Sequence, residues 1–166
     1  MEQTVDTKHV TGRRELHFDG MDDIWADVAA LDGKELVAAG NWSPAQIIQH
    51  VDLIIGCSLD GFDPKIKVPL PLRLFARVIK GGALKRTMKP GIKLPANLSG
   101  FLPLPGIPWE QARDTLRGHI DRIRGGELME EASPFFGPMT HQDWIRLHCR
   151  HAEMHFGFIH EKDGGR

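Results

Sequence analysis

Nine of the 166 residues are histidines, tyrosine is absent, and several of the histidines stand where imidazole could do chemistry. His148, His151 and His155 follow one another at intervals of three and four, so on a helix they project to one side together with Trp144, Ala152 and Ile159. His50 stands in a different segment, between Ile47 and Val51 on its apolar stripe. A neutral imidazole nitrogen is a good ligand for a divalent ion, and a pair at i and i+4 with a third ring from a facing helix holds one ion and leaves a coordination position open. Several buried histidines without a shared partner would each cost desolvation. His50, His151 and His155 are therefore the candidate metal ligands, with ring nitrogens expected about 2.0 to 2.2 Å from a common point.

The other histidines carry weaker signals. His119 lies on the apolar stripe of a third helical segment and reads as a hydrogen-bonded core residue. His148 is open between ligand and core. His9, His17, His141 and His160 lie near segment ends, where exposure is expected. The run His151-Ala152-Glu153-Met154-His155 invites a comparison with zinc peptidases, but their helix places the catalytic carboxylate directly after the first histidine. Here it comes one position later, and a helical wheel turns Glu153 away from both rings, as a surface residue. That spacing argues against catalysis of the peptidase kind.

Four helical segments are needed to position these rings. The first is Met21 to Leu31, with Met21, Ile24, Trp25, Val28 and Leu31 at helical spacing and a weaker continuation through Leu36 and Val37. The second starts at Ser43-Pro44-Ala45-Gln46, where Ser43 can cap, Pro44 suits the first helical position and Gln46 closes a capping box. It runs to about Gly61, with Ile47, Val51, Ile54 and Ser58 on its apolar face. The third starts at Pro108, carries Ala112, Leu116, Ile120 and Ile123 on one side, and ends at Gly125-Gly126. The fourth follows Pro138, with Thr140 as cap and Asp143 three residues on, and is expected to reach about His160. The fold class predicted is all-α, a four-helix bundle within one domain spanning residues 1–166. Between the second and third helices runs a long Pro-rich crossover, Asp63 to Ile107, in which Leu74, Phe75, Val78 and Ile79 suggest a further helix.

Composition bounds the function classes. The chain has 21 basic and 22 acidic residues and 41% hydrophobic residues, which fits neither a disordered tail nor a strongly basic nucleic-acid-coating protein. No apolar run approaches the roughly 20 residues of a membrane span. The polar start of the chain lacks the apolar stretch of a secretory signal, so a cytoplasmic location is expected, and two cysteines, Cys57 and Cys149, cannot build a disulfide framework. Nine basic residues and no acidic one fall between Pro64 and Trp109. That segment could draw an anionic ligand toward the site, or pack on the acidic remainder of the chain. A membrane-surface role for Leu70 to Lys80 is a weaker alternative, and nucleic-acid binding lacks the interleaved exposed aromatics it would need.

The run Trp42-Ser43-Pro44-Ala45-Gln46-Ile47-Ile48-Gln49-His50, followed by Cys57-Ser58-Leu59-Asp60-Gly61-Phe62, resembles a bacterial domain-of-unknown-function family of the DinB/YfiT-like superfamily. Phe136-Gly137-Pro138-Met139-Thr140 with Trp144 and His148 to His155 is similar to that family's second block, and the likeness spans about Arg13 to Ile159. The resemblance implies a four-helix bundle holding a divalent metal, nickel or zinc, on one histidine of the second helix and an HxxxH pair of the last, which map onto His50, His151 and His155. It also implies metal-dependent thiol transferase or hydrolase chemistry with a thiol cofactor such as bacillithiol, mycothiol or glutathione, although no thiol-cofactor motif is present and fold alone does not fix function. The alternative is a non-catalytic bundle that binds a small molecule or a protein. The candidate partners are a small-molecule substrate and a second copy of the chain, with no nucleic acid and no membrane span.

Overall fold

The computed structural model describes residues 5–91 and 100–162. Lys93, one of the nine basic residues of the crossover, lies outside them. Among the described residues, two helices begin at capping boxes that supply partners for free backbone N–H groups of the first turn, and two begin directly after a proline with no side-chain cap. Helix α1 spans Met21–Leu31, with the Asp23 carboxylate bonding back to the Gly20 N–H. Helix α2 spans Pro44–Asp60; its capping box is the expected one, the Ser43 hydroxyl accepting from Gln46 N–H at 3.2 Å and the Gln46 side chain accepting from Ser43 N–H at 2.9 Å. Helix α3 spans Leu70–Ala83, inside the crossover. Helix α4 spans Trp109–Arg124, and α5 spans His141–Phe156 behind the Thr140 and Asp143 box.

The described residues are mostly helical. Helix α2 packs on α4 and α5, and α1 packs on the same two. Met21, Ile24, Val28 and Leu31 of α1, Ile47, Ile48, Val51 and Ile55 of α2, Ala112, Leu116 and Ile120 of α4, and Cys149, Ala152 and Phe156 of α5 form one apolar cluster. A second cluster, Met129, Met139, Trp144 and Leu147, closes the other end of α5. Because α2 is covered from more than one side, Ile48 and Ile55 are buried while Ile54 is half-buried against the second cluster.

Two segment ends depart from helical expectation. Leu36 and Val37 do not extend α1, and α5 stops at Phe156, short of His160. Instead Leu36–Ala38 forms strand β1 and Ile159–Glu161 forms β2, paired antiparallel with Leu36 opposite Glu161 and Ala38 opposite Ile159. Three-residue strands are too short to show an alternation in sequence. The turn after α1 passes through Gly33 in the left-handed region, φ 73°, a conformation glycine adopts without steric cost. After α5 the chain passes so close to the N-terminal segment that a Cβ on Gly157 would sit 2.9 Å from the Arg14 carbonyl oxygen, while Gly157 itself accepts from Arg14 N–H at 2.8 Å.

No described helix is long and apolar enough to cross a membrane.

Candidate metal centre

The first two turns of α2 place His50 inward, 6% exposed. Its Nδ1 lies 2.7 Å from the Phe101 carbonyl oxygen at the end of the crossover. A carbonyl can only accept, so Nδ1 carries the proton and the Nε2 lone pair is free to face the interior. The last two turns of α5 bring His151 and His155 to meet it. Nε2 of His151 is 3.2 Å from Nε2 of His50, and the ring centroids are 5.0 Å (His50 to His151), 4.5 Å (His50 to His155) and 4.6 Å (His151 to His155) apart. One nitrogen from each ring can be chosen so that all three lie within 4.8 Å of one another. Two nitrogens bound tetrahedrally to one ion would be roughly 3.4 Å apart, so the closest pair already has that separation.

Electrostatics favour the ligand form. Burial holds all three imidazoles below the ordinary histidine value, most strongly His151 and His155; the neighbouring rings further discourage a proton on His151, and His50 does so on His155. The Phe101 carbonyl works in the opposite sense at His50 without reversing the shift. Among the described residues Nδ1 of His151 is buried without a hydrogen-bond partner, a costly arrangement for a polar atom. One neutral nitrogen from each of three imidazoles is a donor set that fits a borderline divalent ion. Trp42, directly before the capping box of α2, lies over the rings, with its centroid 4.9 Å from that of His50 and stacked 5.6 Å from that of His155. His151 and His155 nevertheless remain half-buried, so the cluster is not sealed from solvent.

His148 does not join the cluster. It is fully buried one turn earlier, stacked on Trp144 at 5.3 Å, with Nε2 3.0 Å from the Ser58 hydroxyl. Since Ser58 gives its proton to the Ile55 carbonyl at 2.6 Å, His148 Nε2–H is the donor. Its Nδ1 is left without a partner, and burial pulls its pKa down to about 3. His119 is the hydrogen-bonded residue expected, 2.6 Å from the carboxylate of Asp52 on α2, which raises the imidazole's pKa. His9 and His17 are exposed, but His141 and His160 are half-buried, and His141 accepts from Met129 N–H at 3.0 Å. Both cysteines are free. Burial and Asp60 push the Cys57 thiol up, and Cys149 is pushed up to about 11, so neither is a ready thiolate.

Glu153 requires a correction. It is not a surface residue but 2% exposed. Its carboxylate accepts from Phe18 N–H at 2.8 Å and from the Thr87 hydroxyl, and it pairs with Arg150 at 2.7 Å. The wheel is right that it points away from the rings; what it could not show is that residues 17–18 and Thr87 cover that side of α5. Sequence reasoning also missed Trp42 and the Phe101 carbonyl as parts of the site. An indole eight positions before His50, across a helix cap, was the one available signal for the first. A backbone carbonyl has none.

A family model described as "Protein of unknown function (DUF1569)" matches residues 10–162, nearly the whole chain, and the chain belongs to that family. No curated protein and no solved structure matches it.

Proposed function

We propose that this member of a family of unknown function is a single DinB-like four-helix-bundle domain whose His50, His151 and His155 hold one divalent ion, nickel or zinc, for a metal-dependent thiol transfer. The observation that carries the proposal is the convergence of three imidazoles from α2 and α5, one nitrogen of each lying within 4.8 Å of the others. An ion held there would lower the pKa of a bound thiol or water. The chain's own residues set the rest. Phe101 fixes the tautomer of His50, Trp42 limits access over the rings, and burial keeps protons off the ligand nitrogens.

Thiol transfer is favoured over hydrolysis by the fate of the buried carboxylates. Asp52 is committed to His119, and Glu153 to Phe18, Thr87 and Arg150. Neither is free to take a proton from water as a general base. A thiol cofactor brings its own nucleophile and asks less of the protein. The cytoplasm, where such thiols are kept reduced, is the proposed location.

The test is elemental analysis of untagged protein. About one nickel or zinc per chain is expected, lost in His155→Ala with the helical circular dichroism intact. Metal-free protein that also fails to take up either ion after chelator stripping would sink the proposal and leave the non-catalytic binding bundle as the better account.

A further inference from the structure

Helix α3 is built the wrong way round for a helix that only covers a core. Of its 14 residues Ala76 alone is buried. Leu70, Leu74, Phe75, Val78 and Ile79 are exposed, Val78 at 84% and Phe75 at 60%. At 100° per residue these five span about half the circumference, and they share one outward face. The opposite side makes the attachment: Lys80 donates to the Pro138 carbonyl at 2.7 Å and pairs with Asp143 at 3.2 Å, and the Arg77 guanidinium lies against Gly137. A contiguous apolar face of this kind on a folded protein marks an interaction surface.

The charge around it selects the occupant. Lys65 and Lys67 precede α3 and Lys85, Arg86 and Lys89 follow it, with no acidic residue anywhere from Pro64 to Trp109. A second copy docked face to face would set these cations against their own kind. An acidic apolar groove on a protein would need to wrap a half-cylinder whose outermost side chain, Val78, is almost wholly in solvent. A fluid apolar layer beneath a negative surface fits both the convexity and the charge, because such a helix lies in the interface plane with its apolar face among the acyl chains and its cations at the headgroups. We infer that α3 is an amphipathic docking helix that seats the protein on an anionic lipid bilayer. The same surface lies outside the histidine cluster, so docking is independent of the proposed metal.

The experiment is co-sedimentation of the untagged full chain with vesicles of phosphatidylcholine alone or with about one-third phosphatidylglycerol. Binding to the anionic vesicles should exceed binding to the neutral ones by about tenfold or more, and should weaken several-fold when salt is raised toward 0.5 M. The variant Leu74→Ser/Val78→Asp should lose about tenfold in vesicle binding with unchanged circular dichroism and melting, since both side chains are exposed. If that variant misfolds, Lys85→Glu/Arg86→Glu, which leaves the apolar face intact, should show the same loss. Failure to bind anionic vesicles, or equal binding to both compositions, would overturn the inference. So would a wild-type dimer that Val78→Asp converts to monomer, because a second copy would then cover the face.

Discussion

Helix α5 carries two polar clusters on opposite sides, and they are finished differently. On one side Glu153 is surrounded by donors: a backbone N–H, a hydroxyl and a guanidinium satisfy its oxygens, and Arg150 reaches on to the Phe18 carbonyl. On the other side His50, His151 and His155 face one another with like partners and, among the described residues, one nitrogen unsatisfied. A polar group buried for stability acquires its complement from the fold. The Glu153 carboxylate has done so, although Nε of Arg150 beside it is buried without a partner among the described residues, whereas the three rings of the histidine cluster converge on one another. The contrast teaches that neither burial nor a lone unpartnered nitrogen marks a site, since Arg150 and His148 each have one; convergence of like donors does.

The comparison breaks most readily at Glu153. Glu153→Ala strands the Phe18 N–H, the Thr87 hydroxyl and the half-buried Arg150 guanidinium, and should cost about 3 kcal/mol of unfolding free energy, measured by urea titration. Metal bound per folded chain should stay constant. Loss of metal in chains that remain folded would mean that the two clusters act as one.

Next in size is the response of the histidine cluster to an ion. An ion that binds only the folded state at a hundredfold excess over Kd adds about 2.7 kcal/mol, on the order of 5 to 10 °C in the melting temperature of a chain this long. Nickel or zinc should produce that rise in chelator-stripped wild type and not in His50→Ala. Since the folded rings already hold protons weakly, the rise should persist at pH 6 and fade only in stronger acid.

A smaller effect separates His148 from its neighbours. Its folded pKa is depressed to about 3, so the unfolded chain takes up a proton near pH 6.5 that the folded chain refuses, and stability falls as pH drops below that point. One unit lower the penalty is about 1.4 kcal/mol. His148→Leu should flatten the acid limb by one proton while leaving metal binding in place, read from denaturation at pH 7.0 and 5.5. His119 has the opposite sign and the smallest effect. Asp52 raises its pKa, so its contribution is complete below about pH 6.5 and is lost as pH rises through the folded value. The stability gap between wild type and His119→Gln should therefore narrow from pH 6 to pH 8.

What could be read in the sequence was what is local. Ser43 with Gln46 and Thr140 with Asp143 start α2 and α5 through bonds three residues long, and the spacing of His151 and His155 is fixed by the helix that carries them. The juxtaposition with His50 followed from putting apolar stripes together. The illegible parts depend on segments distant in sequence. Glu153 is buried by residues 17–18 and Thr87, β1 finds β2 across most of the chain, and α3, marked by Leu74, Phe75, Val78 and Ile79, gives no sign in its periodicity that its apolar side faces outward.

The contact between His50 and His151 joins residues 101 positions apart. Closing so long a loop is among the late and entropically expensive events of folding. The chain therefore cannot assemble the ligand set before α2 and α5 have met, and an ion has little to grip in the transition state. Contacts completed after that barrier alter the rate of leaving the native state far more than the rate of reaching it. Bound metal should accordingly lengthen the native lifetime, lowering the unfolding arm of a chevron plot and leaving the refolding arm almost where it was.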